Sequence, residues 1–118
     1  MLDSTRRDPQ RSLEADEDRL ILCRACEAAV ARADDRVTVG SGDLHTFVNP
    51  QGDVFELVCL EPADGAVAIG EATLAYTWFP GRAWRFAHCR GCARQLGWRF
   101  DGEAGGFWGL DRGALLVP

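Results

Sequence analysis

The sequence has no lysine, and all of its 13 basic residues are arginine. Coding bias accounts for that without any function. It has no stretch near the ~18 consecutive apolar residues that a membrane span needs. Its opening, MLDSTRRDPQRSLEADEDR, lacks the apolar core of a secretory signal. A cytoplasmic protein with no membrane partner is therefore expected. A basic stripe is also missing: the net charge is −5, which makes a phosphate backbone a poor partner and nucleic-acid binding unexpected. Nor is there a convincing long amphipathic helix. Residues 27–34 (EAAVARAD) have helical propensity, but the segment is short and uncapped.

The 118 residues that are there suffice for one domain. Residues 1–18 are charged and almost free of apolar side chains, and read as a disordered or loosely attached arm. Residues 19–118 form the folded part, which starts at the apolar run Leu20-Ile21-Leu22. The 13 glycines and 5 prolines favour a turn-rich β architecture. Strands are predicted over His45–Val48, Val54–Leu60, Val67–Ile69, Thr73–Trp78, Ala83–His88 and Phe107–Leu110. Turn signals separate them at NPQG (49–52), EPADG (61–65), FPGR (79–82) and DGEAGG (101–106). The fold class that follows is an antiparallel all-β domain.

Five cysteines stand in the chain, four of them as CRAC (23–26) and CRGC (89–92). Two residues between cysteines let each knuckle wrap one ion. Cys23, Cys26, Cys89 and Cys92 together make the thiolate set of a closed tetrahedral zinc, one Zn²⁺ per chain with a structural role. The long span between the knuckles is no obstacle. Stretching a loop from ~17 to ~60 residues costs only about 1 kcal/mol more closure entropy, against about 10–16 kcal/mol from structural zinc. Arg24 and Arg90 follow the first cysteine of each knuckle; they either offset the negative charge of a four-thiolate zinc or are simply exposed. Cys59 falls at period two with Phe55 and Leu57, which points it into the core. A catalytic thiol is the alternative there. His88 is expected to face away from Cys89, and His45 has no partner visible in the sequence.

Four tryptophans, Trp78, Trp84, Trp98 and Trp108, crowd the C-terminal half. WFPGRAW puts Trp78 and Trp84 on either side of a Pro-Gly turn, on one face of a hairpin. Trp98 arrives in LGWRF just after the second knuckle, so a metal fixes where it sits. These three are read as the walls of a binding cage, and Trp108 as core filling.

In order along residues 20–118, CRAC, FVNPQG, WFPGRAW, CRGC, LGWRF and FWGL followed by GALL resemble the CULT domain, the thalidomide-binding domain of cereblon. That domain also occurs alone in short bacterial proteins. The resemblance implies a β-tent, two antiparallel sheets pinned by the zinc, similar to the fold of methionine sulfoxide reductase B. It further implies a pocket walled by Trp78, Trp84 and Trp98, with Phe100 at its base and Asn49 and Pro50 on a rim loop. The implied ligand is a glutarimide or related cyclic imide of the thalidomide type, held by backbone at Tyr76 and Trp78. Tyr76 stands where eukaryotic members have His. The helical and protease-like regions that connect cereblon to a ubiquitin ligase have no counterpart here, so no ligase partner is expected, and the chain is expected to be a monomer. Three functions follow: a binding module for cyclic imides or uracil-like rings, a reductase using Cys59, and a cage for a methylated ammonium group. The nearest carboxylates to the cage in sequence are Glu71 and Asp101.

Overall fold

The computed structural model describes residues 19–118, so the arm expected over 1–18 lies outside the described residues. Among the described residues, nine strands follow in chain order. They are β1 (Leu20–Cys23), β2 (Ala29–Arg32), β3 (Leu44–Val48), β4 (Val54–Leu60), β5 (Ala66–Thr73), β6 (Ala83–Cys89), β7 (Gln95–Gly102), β8 (Gly105–Asp111) and β9 (Leu115–Leu116). Helix is confined, among the described residues, to single 3₁₀ turns at Ala33–Asp35 and Arg112–Ala114. A three-stranded sheet runs β9-β1-β2 and a six-stranded sheet runs β3-β4-β8-β7-β6-β5, with every pairing antiparallel. The all-β class is as the sequence predicts, with two antiparallel sheets whose strands β1 and β6 each end on a cysteine, Cys23 and Cys89.

Alternation along the strands builds two hydrophobic clusters, one on each face of the large sheet. Val58, Leu60, Leu96 and Leu110 pack with Ile21, Val30 and Leu115 of the small sheet. Their neighbours Leu57 and Cys59 point the other way and pack with Phe79, Phe100 and Phe107. Both faces of β4 are therefore covered at its C-terminal half, which is why Leu57, Val58, Cys59 and Leu60 are all buried. Trp108 packs on the inter-sheet cluster as core filling, away from the other tryptophans.

Three elements differ from the sequence reading. The span 27–34 is no helix: Ala29–Arg32 pairs with β1, its alanine-rich helical propensity overridden by the sheet contact. A strand over Thr73–Trp78 does not form, because β5 ends at Thr73. Side chains there capture the backbone groups that a ladder would need. Thr73 Oγ1 accepts from Ala75 N at 3.0 Å, and Trp84 Nε1 donates to the carbonyl of Ala75 at 2.8 Å. Trp78 consequently lies on a loop, and the hairpin proposed to carry both Trp78 and Trp84 is absent. Finally, Gln95–Gly102 is a full strand that the sequence reading missed. Gly97 hid it; the ladder bulges between Ala87 and His88, and strand glycines mark such places.

Candidate functional site

The two cysteine knuckles are built alike. In the first, Cys23 N donates to Ala28 O at 2.9 Å and Glu27 N to Cys23 O at 2.7 Å, with Glu27 at φ 63°. In the second, Cys89 N donates to Arg94 O at 2.8 Å and Ala93 N to Cys89 O at 2.8 Å, with Ala93 at φ 67°. The same reversal thus occurs twice, each time turning both sulfurs inward. The four Sγ atoms lie within 4.8 Å of one another, with Cys23–Cys92 at 3.8 Å and Cys26–Cys89 at 3.7 Å. A tetrahedron of sulfurs on bonds of about 2.3 Å has edges of about 3.8 Å, so the set fits a single ion of the zinc class. The thiols differ in proton affinity. Despite burial, which raises it, the Cys89 thiol is brought down to about 7 by the backbone N–H groups of Cys92 and Gly91. Cys26 goes the other way, to about 12: the Ala28 N–H lowers it, and burial and the three neighbouring sulfurs outweigh that. Four thiolates this close need a cation among them to coexist.

Arg24 and Arg90 do something the sequence reading did not anticipate. Arg24 donates through Nε to Gly113 O at 3.1 Å and through Nη2 to Leu115 O at 3.0 Å. Arg90 donates through Nε to Asp64 O at 2.9 Å. Each arginine straps its knuckle to a passing strand or loop, a role that planar guanidinium donors suit.

The aromatic site starts from cross-strand register. Trp84 opposes Phe100 and Phe86 opposes Trp98, so four aromatic side chains form a block on one face of β6 and β7. Gly109 on β8 makes room beneath it. A Cβ there would lie 2.8 Å from the Phe100 ring and 3.2 Å from Leu57. Trp78 closes the third side from its loop, edge-to-face with Trp98 at 5.0 Å and stacked on Phe47 at 5.0 Å. The indole nitrogens of Trp78 and Trp84 are spent on backbone carbonyls, Val48 O at 3.3 Å and Ala75 O at 2.8 Å, which fixes both rings.

A cavity of about 320 Å³ opens between them. Its walls are Trp78, Trp84 and Trp98, with buried Phe100 as the floor. Asn49, Pro50 and Gln51 reach it from the β3–β4 turn, and Tyr76 and Phe86 complete the rim. All seven residues named for the pocket from sequence therefore border one cavity; Gln51 and Phe86 were missed. Phe86 was open to discovery, since it alternates with Trp84 along β6. The Asn49 carboxamide is occupied in shaping its own turn: Oδ1 accepts from Gln51 N at 3.0 Å and Asp53 N at 2.8 Å.

The loop from Leu74 to Arg82 consists of two consecutive turns. Thr77 N donates to Leu74 O at 3.2 Å, with Tyr76 in the left-handed region at φ 58°. Arg82 N donates to Phe79 O at 2.9 Å around Pro80-Gly81, with Gly81 at φ 86°, the type II turn read from FPGR. Thr77 Oγ1 bonds Arg82 O at 2.6 Å and ties the two turns together. Among the described residues, no hydrogen bond engages the backbone N–H or C=O of Tyr76 or Trp78. Free donors and acceptors thus stand beside an apolar cavity.

The remaining candidates fall elsewhere. Cys59 is fully buried among Leu57, Phe79, Phe100 and Phe107, and burial pushes its thiol up to about 11. His88 Nδ1 pairs with Ala93 O at 2.8 Å and His45 Nε2 with Val39 O at 2.8 Å. Asp101 is held by Arg99 and does not border the cavity, nor does Glu71.

No family model matches the chain. Among curated proteins it is similar to cereblon of Danio rerio, 34% identical over 103 residues, covering 81% of this chain and 24% of that protein. Cereblon of Gallus gallus is 32% identical over 103 residues, and that of Xenopus tropicalis 38% over 79 residues, covering 81% and 63% of this chain. The chain spans about a quarter or less of the length of these relatives, 24%, 23% and 18%.

Proposed function

Because the chain carries a CULT domain of the cereblon kind, we propose that it is a small-molecule binding module whose tryptophan cage takes a neutral cyclic imide or a uracil-like ring. The observation that carries this reading is the cavity of about 320 Å³, apolar on three sides and bordered by the unengaged backbone of Tyr76 and Trp78. A flat ring offers its CH₂ edges to the electron-rich indole faces. An imide edge, one N–H between two carbonyls, needs a fixed acceptor and fixed donors, and backbone supplies both without side-chain entropy.

The alternatives find less support. A methylated ammonium would want a carboxylate beside the rings, and none of the described residues that border the cavity carries one. A reductase would need Cys59 as an accessible thiolate, whereas it is buried and held in the thiol form. The four clustered cysteines could hold a metal ion, which we assign as one structural zinc whose work is to hold β1 and β6 together. Soluble cytoplasmic residence as a monomer accompanies this reading; no helix among the described residues is long and apolar enough to cross a membrane.

Titrating a glutarimide, uracil and a quaternary amine into the protein while following tryptophan emission tests the proposal. Saturable quenching by the neutral rings alone is expected. Replacing Trp78, Trp84 or Trp98 by Ala should cost roughly 1–3 kcal/mol of binding each through lost contact area. Saturation by the amine alone would overturn it.

A further inference from the structure

We propose that the face of the large sheet opposite the cage carries an oxyanion site, with Arg85 as its principal donor and Arg90 as its second. The small sheet covers only part of that face. Beyond it lies a shallow, open depression of about 500 Å³ whose lining includes Arg85, Arg90, Arg99, Trp108, Ala66 and Ala68.

Arg85 on β6 stands directly opposite Arg99 on β7 in the ladder. Like charges so placed destabilise a sheet unless something compensates them. Arg99 is compensated. It donates to Glu61 Oε1 at 2.9 Å and to Asp101 Oδ1 at 3.0 Å, and its guanidinium lies 5.0 Å from the centre of the Trp108 ring. Arg85 is not: it is half-buried, yet its side chain makes no hydrogen bond or ion pair with any described residue. Arg90 is anchored by its Nε to Asp64 O, which leaves its terminal nitrogens without a partner among the described residues.

Three guanidinium groups therefore share an open depression whose lining, among the described residues, holds a single carboxylate, Asp101, in a chain of net charge −5. Alanines at 66 and 68 keep the floor low enough for a ligand to reach Arg85. A guanidinium presents parallel N–H groups, which match two oxygens of a phosphate or carboxylate. The ligand class is thus a small molecule bearing a phosphate or a carboxylate. The site is independent of the cage, which opens on the other face of β6 and β7.

Amide and arginine side-chain NMR spectra would be followed during titration with inorganic phosphate, and separately with citrate, at constant ionic strength against a chloride control. Saturable shifts confined to Val67, Ala68, Arg85 and Arg90 are expected, and the tighter of the two probes identifies the headgroup. Arg85→Gln removes the like-charge opposition and should fold. It should weaken that binding by about tenfold or more, with Arg85→Lys in between because it keeps the charge and loses the fork. Linear shifts that match chloride, or unchanged binding in Arg85→Gln, would overturn the proposal.

Discussion

At Tyr76 the chain holds a bulky residue at φ 58°, while its side chain stands 80% exposed on the cavity rim. Left-handed backbone costs a non-glycine residue about 1–2 kcal/mol, and on the proposed reading the backbone, not the phenol, meets the ligand. Tyr76→Gly should leave imide affinity nearly unchanged and stability within about 1 kcal/mol of the parent, as read by fluorescence titration and thermal melting. Tyr76→Pro, with φ locked near about −65°, should abolish binding. A large loss in Tyr76→Gly would show that the phenol, and not the backbone, meets the ligand. Cys59 makes a second single-residue test. Its proton affinity rises on folding from 9.0 to about 11, so the unfolded chain gives up that proton first. The stability tied to this thiol is complete below pH 9 and drains away as pH climbs toward 11. Cys59→Ala should therefore fall off less steeply with alkali than the parent in denaturant melts, and should bind imide as before. Weakened imide binding in that variant would mean that the buried thiol shapes the cage.

The knuckles and the loop between Leu74 and Arg82 are where element-level reasoning succeeded and failed. Spacing alone exposed the four cysteines, because two-residue separations dictate the reversal that the structure shows twice. Pro80-Gly81 likewise announced its turn. Strand β7 and the loop 74–78 were not legible, since both depend on tertiary contacts. Gly97 is tolerated in a strand because a bulge lies beside it, and the loop exists because Thr73, Thr77 and Trp84 capture its backbone. The residues that border the cavity were nonetheless named from motif order, while Phe86 was passed over and Trp78 was placed on the wrong kind of element. The knuckles join strands of different sheets, so their failure should be global. Cys89→Ser should lose the metal and most of the cooperative melt, and a strong chelator should do the same to the parent protein. Metal analysis that finds no zinc in folded protein would contradict this.

Across the described residues, the large sheet borders both the cage and the arginine depression, and the small sheet packs on part of one of its faces. One face of β6 and β7 carries Trp84 and Trp98, the other carries Arg85 and Arg99, and the cysteine tetrad brings the ends of β6 and β1 together. Gly109 shows how closely the layers depend on one another. An added methyl there would collide with Phe100 and Leu57, so Gly109→Ala should destabilise the fold by about 1–3 kcal/mol and distort the cavity floor. Thermal melts together with imide titration would register both effects, and an unaltered melt would show that the floor can yield. The central claim, that the cage reads a neutral imide edge through backbone at Tyr76 and Trp78, is tested most directly by N-methylation of the ligand. Affinities of a glutarimide and its N-methyl derivative would be compared by calorimetry. Methylation removes the one donor and sets a methyl group against a backbone acceptor, so binding should fall by about tenfold or more. Equal or tighter binding of the N-methyl compound would contradict the claim.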